Sequence, residues 1–413
     1  MFSKIFKKRF VRITVCLILL QFIGYLKFRD NRTSGSTLSL LSENIKTWQL
    51  SQPAAAAADT NQVTSWQSFK LLIQEVPDLL NAQLKFNNMV RPVSVKLPCV
   101  PHSASKNLCV HPNCTQLSNN LTERIQSLIS QKTILAKEQD DLLRSVSLQI
   151  PENDVILLSA ASSNHYDEMQ AMLHSLHSMV FPELSKTENF SLVLWDIGLT
   201  SDQRQKVEKC CRCQVISFPF EKFPKRISDL HTYMWKPLLI RITLLRARKF
   251  VVYHDACIRY NQFPGPLFDK GMTHGLYLLK GRGKASTVHR TLPETFTYLG
   301  QKVCSFYPYQ ELIASYGVYK NDPFVLKAVT NLWARCAFEE KCMSPRPTIP
   351  SLSCHYGPCH RFDQSALTII TTTLYGHEIY RITQYKVDVI QYVTLQRDHK
   401  EANYFNSTGC LKS

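Results

Sequence analysis

Several common signatures are missing from this chain of 413 residues. No Gly-x-Gly-x-x-Gly follows the first strand-like segment, which argues against a dinucleotide cofactor. No zinc-finger spacing, RNA-recognition signature or basic amphipathic helix accompanies its basic character, so nucleic acid is excluded as a partner. Acidic residues are scarce relative to basic ones: 32 against 49, a formal net charge of +17. Part of that excess flanks an apolar segment near the N-terminus. The remainder suits an acidic ligand such as a nucleotide diphosphate, or keeps a domain soluble. Cysteine is nearly absent from the first 98 residues, where only Cys16 occurs, whereas thirteen cysteines lie between Cys99 and Cys410.

What is present points to an oxidising lumen. Asn-x-Ser/Thr sequons begin at Asn31, Asn113, Asn120, Asn189 and Asn406, all beyond the first hydrophobic stretch. Sequons and dense cysteines together favour the secretory pathway. Ile13 to Leu26 is uncharged, and residues 10–28 reach bilayer length if Arg12 and Lys27 snorkel to the interfaces. Lys4, Lys7, Lys8, Arg9 and Arg12 precede the span, so the N-terminus is expected to stay cytosolic. The bulky, basic Gly24-Tyr25-Leu26-Lys27 gives no cleavage site, which favours a signal anchor over a removed signal peptide. The expected organisation is a cytosolic tail over 1–9, an anchor over 10–28 and a Ser/Thr/Gln/Ala-rich stem over 29–95. A lumenal domain over 96–405 and a short tail over 406–413 follow. The expected topology is that of a single-pass type II protein of the Golgi or ER membrane. One amphipathic helix is expected within the stem, near Trp66–Leu80.

From Pro151 the chain alternates between strand-like and helix-like patterns. Val155 to Leu158 is a short apolar run, and Met169, Met172, Leu173, Leu176 and Val180 recur at helical spacing. Leu192 to Trp195 forms a second run, Thr200-x-x-Gln203 resembles a capping box, and Gln214–Phe220 reads as a third strand. Trp235, Leu238, Leu239, Ile242 and Leu245 predict a helix, with Phe250 to Tyr253 as the next strand. Such alternation implies an α/β fold with a mostly parallel sheet flanked by helices. In such sheets ligands bind outside the carboxyl ends of the strands. That rule selects Ser159–Asn164, Asp196, Lys222–Arg226 and His254-Asp255. Beyond Tyr260 the pattern loosens.

Three passages carry a resemblance. They are Tyr233-Met234-Trp235-Lys236-Pro237 leading to Val252-Tyr253-His254-Asp255-Ala256-Cys257, then Leu194-Trp195-Asp196-Ile197-Gly198-Leu199, and Arg361-Phe362-Asp363-Gln364-Ser365-Ala366-Leu367. Together they resemble glycosyltransferases of the GT-A type, with the nucleotide-diphospho-sugar transferase fold. They are similar in particular to an uncharacterised family of lumenal proteins defined only as a domain of unknown function. The resemblance implies a nucleotide-sugar donor, a glycan or glycoprotein acceptor and an Asp-x-Asp motif for a divalent cation such as Mn²⁺. Here the motif reads Asp255-Ala256-Cys257, and a thiol is a poor ligand for a hard cation.

The candidate donor-binding residues are Asn164, Asp196, Lys236, Asp255 and Arg259. Lys236 and Arg259 would act as fixed cations for a diphosphate. Asp196 would accept from a nucleotide base, its alternative being an Asx turn before Gly198. Asp255 and His399 are the candidate metal ligands. Asp363 is the candidate catalytic carboxylate on the acceptor side, its alternative being a helix N-cap. The retained fold without catalysis, as a glycan- or partner-binding membrane protein, is the competing reading, supported by Cys257. Cys354-His355-x3-Cys359-His360 and Cys210-Cys211-x-Cys213 lack zinc-site spacing, and disulfides are expected, with Cys336–Cys342 and Cys354–Cys359 as plausible local pairs.

Overall fold

A computed structural model describes residues 73–80, 109, 115–281, 286–348, 359–397 and 403–407. The chain divides into Met1–Asn61 and Gln62–Ser413, and every described residue lies in the second unit. The expected anchor over 10–28 falls outside the described residues. Among the described residues no helix is long and apolar enough to cross a membrane.

In chain order the main elements begin with α1 (73–80), α2 (Leu121–Leu128), α3 (Lys137–Ser147), β1 (Asn153–Ala161) and α4 (Tyr166–Met179). There follow β2 (Phe190–Asp196), α5 (Ser201–Cys210), β3 (Gln214–Ser217), α6 (Trp235–Leu244), β4 (Ala247–His254) and β5 (Ile258–Tyr260). The rest comprises α7 (Gly265–His274), β6 (Leu276–Lys280), β7 (Leu312–Lys320), α8 (Asn331–Phe338), α9 (Phe362–Tyr375), β8 (Thr383–Tyr385) and β9 (Val393–Leu395).

Seven strands form one sheet in the order β3-β2-β1-β4-β7-β6-β8, while β5 and β9 pair separately. The first four are parallel, as their crossover helices require. β7 then inserts antiparallel between β4 and β6, so the sheet is mixed rather than uniformly parallel. Both faces are covered. Ile156, Leu158, Val251 and Tyr253 point into one apolar cluster with α6, α8 and α9. Val155, Leu157, Phe250 and Val252 point into another with α4 and α7. Burial on both sides explains why these strands read as continuous apolar runs instead of alternating ones.

The capping box opening α5 is present, with Thr200 Oγ1 accepting from Gln203 N–H and Gln203 Oε1 accepting from Thr200 N–H. β3 stops at Ser217, three residues short of the expected Phe220, because Pro219 lacks the N–H that a ladder needs. α1 falls in the segment expected to be stem, yet Val76 and Leu80 are fully buried in the α6/α8/α9 cluster. Its Glu75 pairs with Lys327. We therefore expect Leu80→Ala to cost about 2–5 kcal/mol in chemical denaturation, the range for a buried leucine. An unchanged midpoint would show that α1 is not part of the folded body.

Candidate functional site

The order β3-β2-β1-β4 changes direction between β1 and β4, which opens a crevice at their carboxyl ends. The seam is tied by Ser159 Oγ on β1, which donates to the His254 carbonyl at 2.8 Å. Asp255 follows β4 directly at this crevice, its N–H donating to the Ser315 carbonyl of β7 at 2.8 Å.

Lys236, at the second position of α6, is buried. Its Nζ lies 3.0 Å from Asp255 Oδ1 and 3.4 Å from Asp363 Oδ2, and it donates to the Ala314 carbonyl at 3.3 Å. The rings of Tyr233, Tyr253 and Trp235 surround it, with centroids 5.2, 5.2 and 5.8 Å away. Burial works to lower its proton affinity, but Asp255 and then Asp363 more than reverse that, holding the ammonium above the ordinary lysine range. Asp255 Oδ1 also accepts from Tyr253 Oη at 2.5 Å. Of the three charged side chains only Asp255 is appreciably open, at 25%, whereas Lys236 is at 4% and Asp363 at 6%.

Asp363 sits in the first turn of α9 and is not its N-cap; that position belongs to Arg361, whose side chain makes no capping bond. The buried Asp363 carboxyl is pushed above the usual carboxylate range by desolvation, with a further contribution from Asp255 and against the pull of Lys236. One ammonium cannot fully offset two carboxylates in a dry site. The Asp363 Oδ2 contact with Lys236 is an ion pair without hydrogen-bond geometry. Nearby, Ser315 Oγ, Tyr319 Oη and Gln364 Nε2 are buried with no hydrogen-bond partner among the described residues. Such atoms mark a place where water or a ligand is accommodated. A Cβ on Gly317, opposite Tyr253 in the β4/β7 ladder, would lie 2.9 Å from Tyr319 Oη and Leu278 Cδ2. Only glycine leaves this floor intact.

The remaining sequence candidates are distributed differently. Asn164 is exposed in the loop after β1, where its Oδ1 accepts from Ser162 Oγ at 2.5 Å. The Asx turn holds at Asp196: Oδ1 accepts from Gly198 and Leu199 N–H, while Oδ2 pairs with Arg204 at 2.9 Å. Arg259 is buried, and its Nη1 donates to the Ala256 and Ile258 carbonyls. His399 lies outside the described residues.

Arg397 was not singled out from sequence. The β5/β9 pairing and a bond from Gln396 N–H to the Cys257 carbonyl bring it to the loop after β4. Its exposed cation acts on the Cys257 thiol. The signal was available only as two three-residue strands, too short for a periodicity to register.

Among the described residues the fit to a divalent cation is poor. Cys257 is buried and unpaired, and its thiol is pushed up to about 12, chiefly by burial and then by Asp255, so it stays neutral. Asp255 already shares Oδ1 with an ammonium and a phenol. Among the described residues no three His, Cys, Asp or Glu side chains converge on a metal-sized site. Among the described residues Cys336–Cys342 pairs as expected. Cys211–Cys213 and Cys109–Cys304 are bonded too, which removes the zinc alternative for Cys211 and Cys213. Cys359 is disulfide-bonded, and Cys354 lies outside the described residues.

Comparison with known proteins adds the following. The family model described as "Protein of unknown function (DUF1647)" matches residues 109–241. A comparison of sequence with curated proteins finds no match. Among solved structures the chain is similar to core-mannan synthase A (CmsA/Ktr4) from Aspergillus fumigatus in its Mn/GDP form. Identity there is 10%, with 59% of this chain and 74% of that chain covered and a TM-score of 0.38. It is similar to the bifunctional glycosyltransferase WbbM at 10% identity and TM-score 0.34, covering 57% of this chain and 39% of that one. It is also similar to mouse xyloside xylosyltransferase 1 in its apo form, at 12% identity and TM-score 0.33, covering 57% and 84%. The chain spans 39% of the length of WbbM.

The charge cluster makes a pH prediction. A carboxyl whose folded proton affinity is raised contributes stability that is complete below its unfolded value, about 4. That contribution is lost as pH rises through the folded value. Asp363→Asn cannot ionise, so its melting temperature relative to the parent should rise between about pH 3.5 and neutrality. A difference independent of pH would contradict the raised Asp363. Lys236→Met should destabilise by about 3–5 kcal/mol, because it strands two buried or half-buried carboxylates.

Proposed function

We propose that this chain is a glycosyltransferase that moves a sugar from a nucleotide-sugar donor to a hydroxyl of a glycan or glycoprotein in the secretory pathway. One observation carries the reading. A half-open carboxylate, Asp255, stands at the switch point of the sheet, clamped from behind by a buried ammonium and a phenol. Carboxylates fixed in this way accept hydroxyl protons without reorganising. In transfer, the acceptor oxygen would form a bond to the anomeric carbon. The bond from that carbon to the diphosphate oxygen would break, and the acceptor proton would pass to a carboxylate. Asp255 is the member of the cluster open to do this. Lys236 and Asp363 act through it as positioning residues. Arg397, an exposed cation acting on Cys257 in the loop after β4, would face the diphosphate, a role in which a divalent cation is not needed.

The membrane assignment through residues 10–28, with the C-terminal body lumenal, is part of this proposal. Its support is the flanking charge and the exposure of Asn120, Asn189 and Asn406, the sequon asparagines among the described residues. The second reading is a non-catalytic binding protein. The neutral, buried Cys257 where a second carboxylate is expected favours it.

A thermal-shift titration of the full-length chain in detergent with UDP, GDP and CMP, with Mn²⁺ or with EDTA, separates the two. On our proposal one nucleotide raises the midpoint, EDTA leaves that rise in place, and Arg397→Ala reduces it. If no nucleotide shifts a well-folded chain, the transferase reading fails and the binding-protein reading takes its place.

A further inference from the structure

Two bulky aromatic residues at the mouth of the charge cluster adopt the left-handed backbone conformation. Tyr233 has φ +53° and Phe362 has φ +43°. Neither is glycine or asparagine, the residues that normally occupy this region, so both positions are strained. Each stands within three residues of a charged member of the cluster: Tyr233 before Lys236, and Phe362 before Asp363. The two strained positions are far apart in sequence, yet their ring centroids lie 6.4 Å apart with a 44° tilt. Tyr233 is 38% exposed, one of the more open large hydrophobic side chains, and its ring also lies 6.2 Å from Trp235. The Lys236 ammonium lies 5.2 Å from the Tyr233 ring centroid.

We infer that Tyr233 and Phe362 form a carbohydrate-stacking lip, against which a pyranose ring lies beside Asp255. The ligand class follows from what is juxtaposed. A pyranose has an apolar face of C–H bonds and an edge of hydroxyls; aromatic faces recognise the first and a half-open carboxylate the second. The tilt between the rings leaves no parallel slot for a flat base and suits a puckered ring. The Tyr233 ring is turned outward, whereas Phe362 backs it, packed partly against the core and beside the buried His360, while α6 and α9 keep Lys236 and Asp363 buried. The identity of the sugar as substrate rests on the transferase reading above, but the stacking site itself does not.

The test is saturation-transfer NMR on the full-length chain with methyl pyranosides of glucose, galactose, mannose, xylose and N-acetylglucosamine. At least one should show transfer concentrated on the C–H protons of one ring face. Tyr233→Gly, which adopts the same φ without strain, should weaken that glycoside by about tenfold while its melting temperature is held or raised. Tyr233→Phe should restore binding. Absence of transfer from every glycoside, or an undiminished signal in Tyr233→Gly, overturns the lip. A UDP or GDP shift lost in Tyr233→Gly overturns it too, because the ring would then be stacking a base. If no nucleotide binds at all but a glycoside still requires Tyr233, the lip stands as a glycan site and the transferase reading fails.

Discussion

The site depends on one ammonium shared by two carboxylates. At 3.0 Å and an effective permittivity of about 20, the gross Lys236–Asp255 attraction is roughly 5 kcal/mol. Desolvation cancels much of it, so the contact is weak evidence for stability. What it supplies is geometry. Lys236 comes from α6, Asp255 from the end of β4 and Asp363 from α9, and the three elements meet around this charge. The aromatic rings close the remaining sides and shut out water. Buried charge left without a partner is costly, so α6 and α9 are bound to one register against β4. Asp255 thereby becomes a fixed, half-open acceptor.

The parallel half of the sheet was legible from sequence because each strand and helix there is long and strongly periodic. The positions after β1, β2 and β4 followed from a topological rule alone, and Asp255, Lys236 and Asp363 do come together. The antiparallel β7 was not legible. Leu312–Lys320 is buried on both faces and carries three aromatic or glycine interruptions, Tyr316, Gly317 and Tyr319, so neither a period of two nor of 3.6 emerges. Arg397 was missed because pairing between β5 and β9 is a long-range event between three-residue strands. At Asp196 and Arg259 the structure adds local contacts that the sequence does not announce. Each lies at the expected place in the chain, but local hydrogen bonds to Gly198, Leu199, Ala256 and Ile258 engage their side chains. Residue type and position alone do not reveal whether a polar group is already satisfied.

The described cysteines are mostly paired. Cys109–Cys304 ties the segment before α2 to the stretch before β7, and Cys336–Cys342 closes the end of α8. Cys257 differs from these in being a buried free thiol beside Asp255. Neutral and apolar, it fills space next to the carboxylate without adding charge. A cluster built around Lys236 has little use for a second anion at that position, since one ammonium is already divided between two.

Release of nucleoside diphosphate from a panel of nucleotide sugars by the full-length chain, compared with Asp255→Asn, tests the central claim most directly. The account predicts release from one donor class, persisting in EDTA and lost in the variant while the variant remains folded. Release that is equal in the parent and Asp255→Asn, or none from any donor by a well-folded chain, would contradict it.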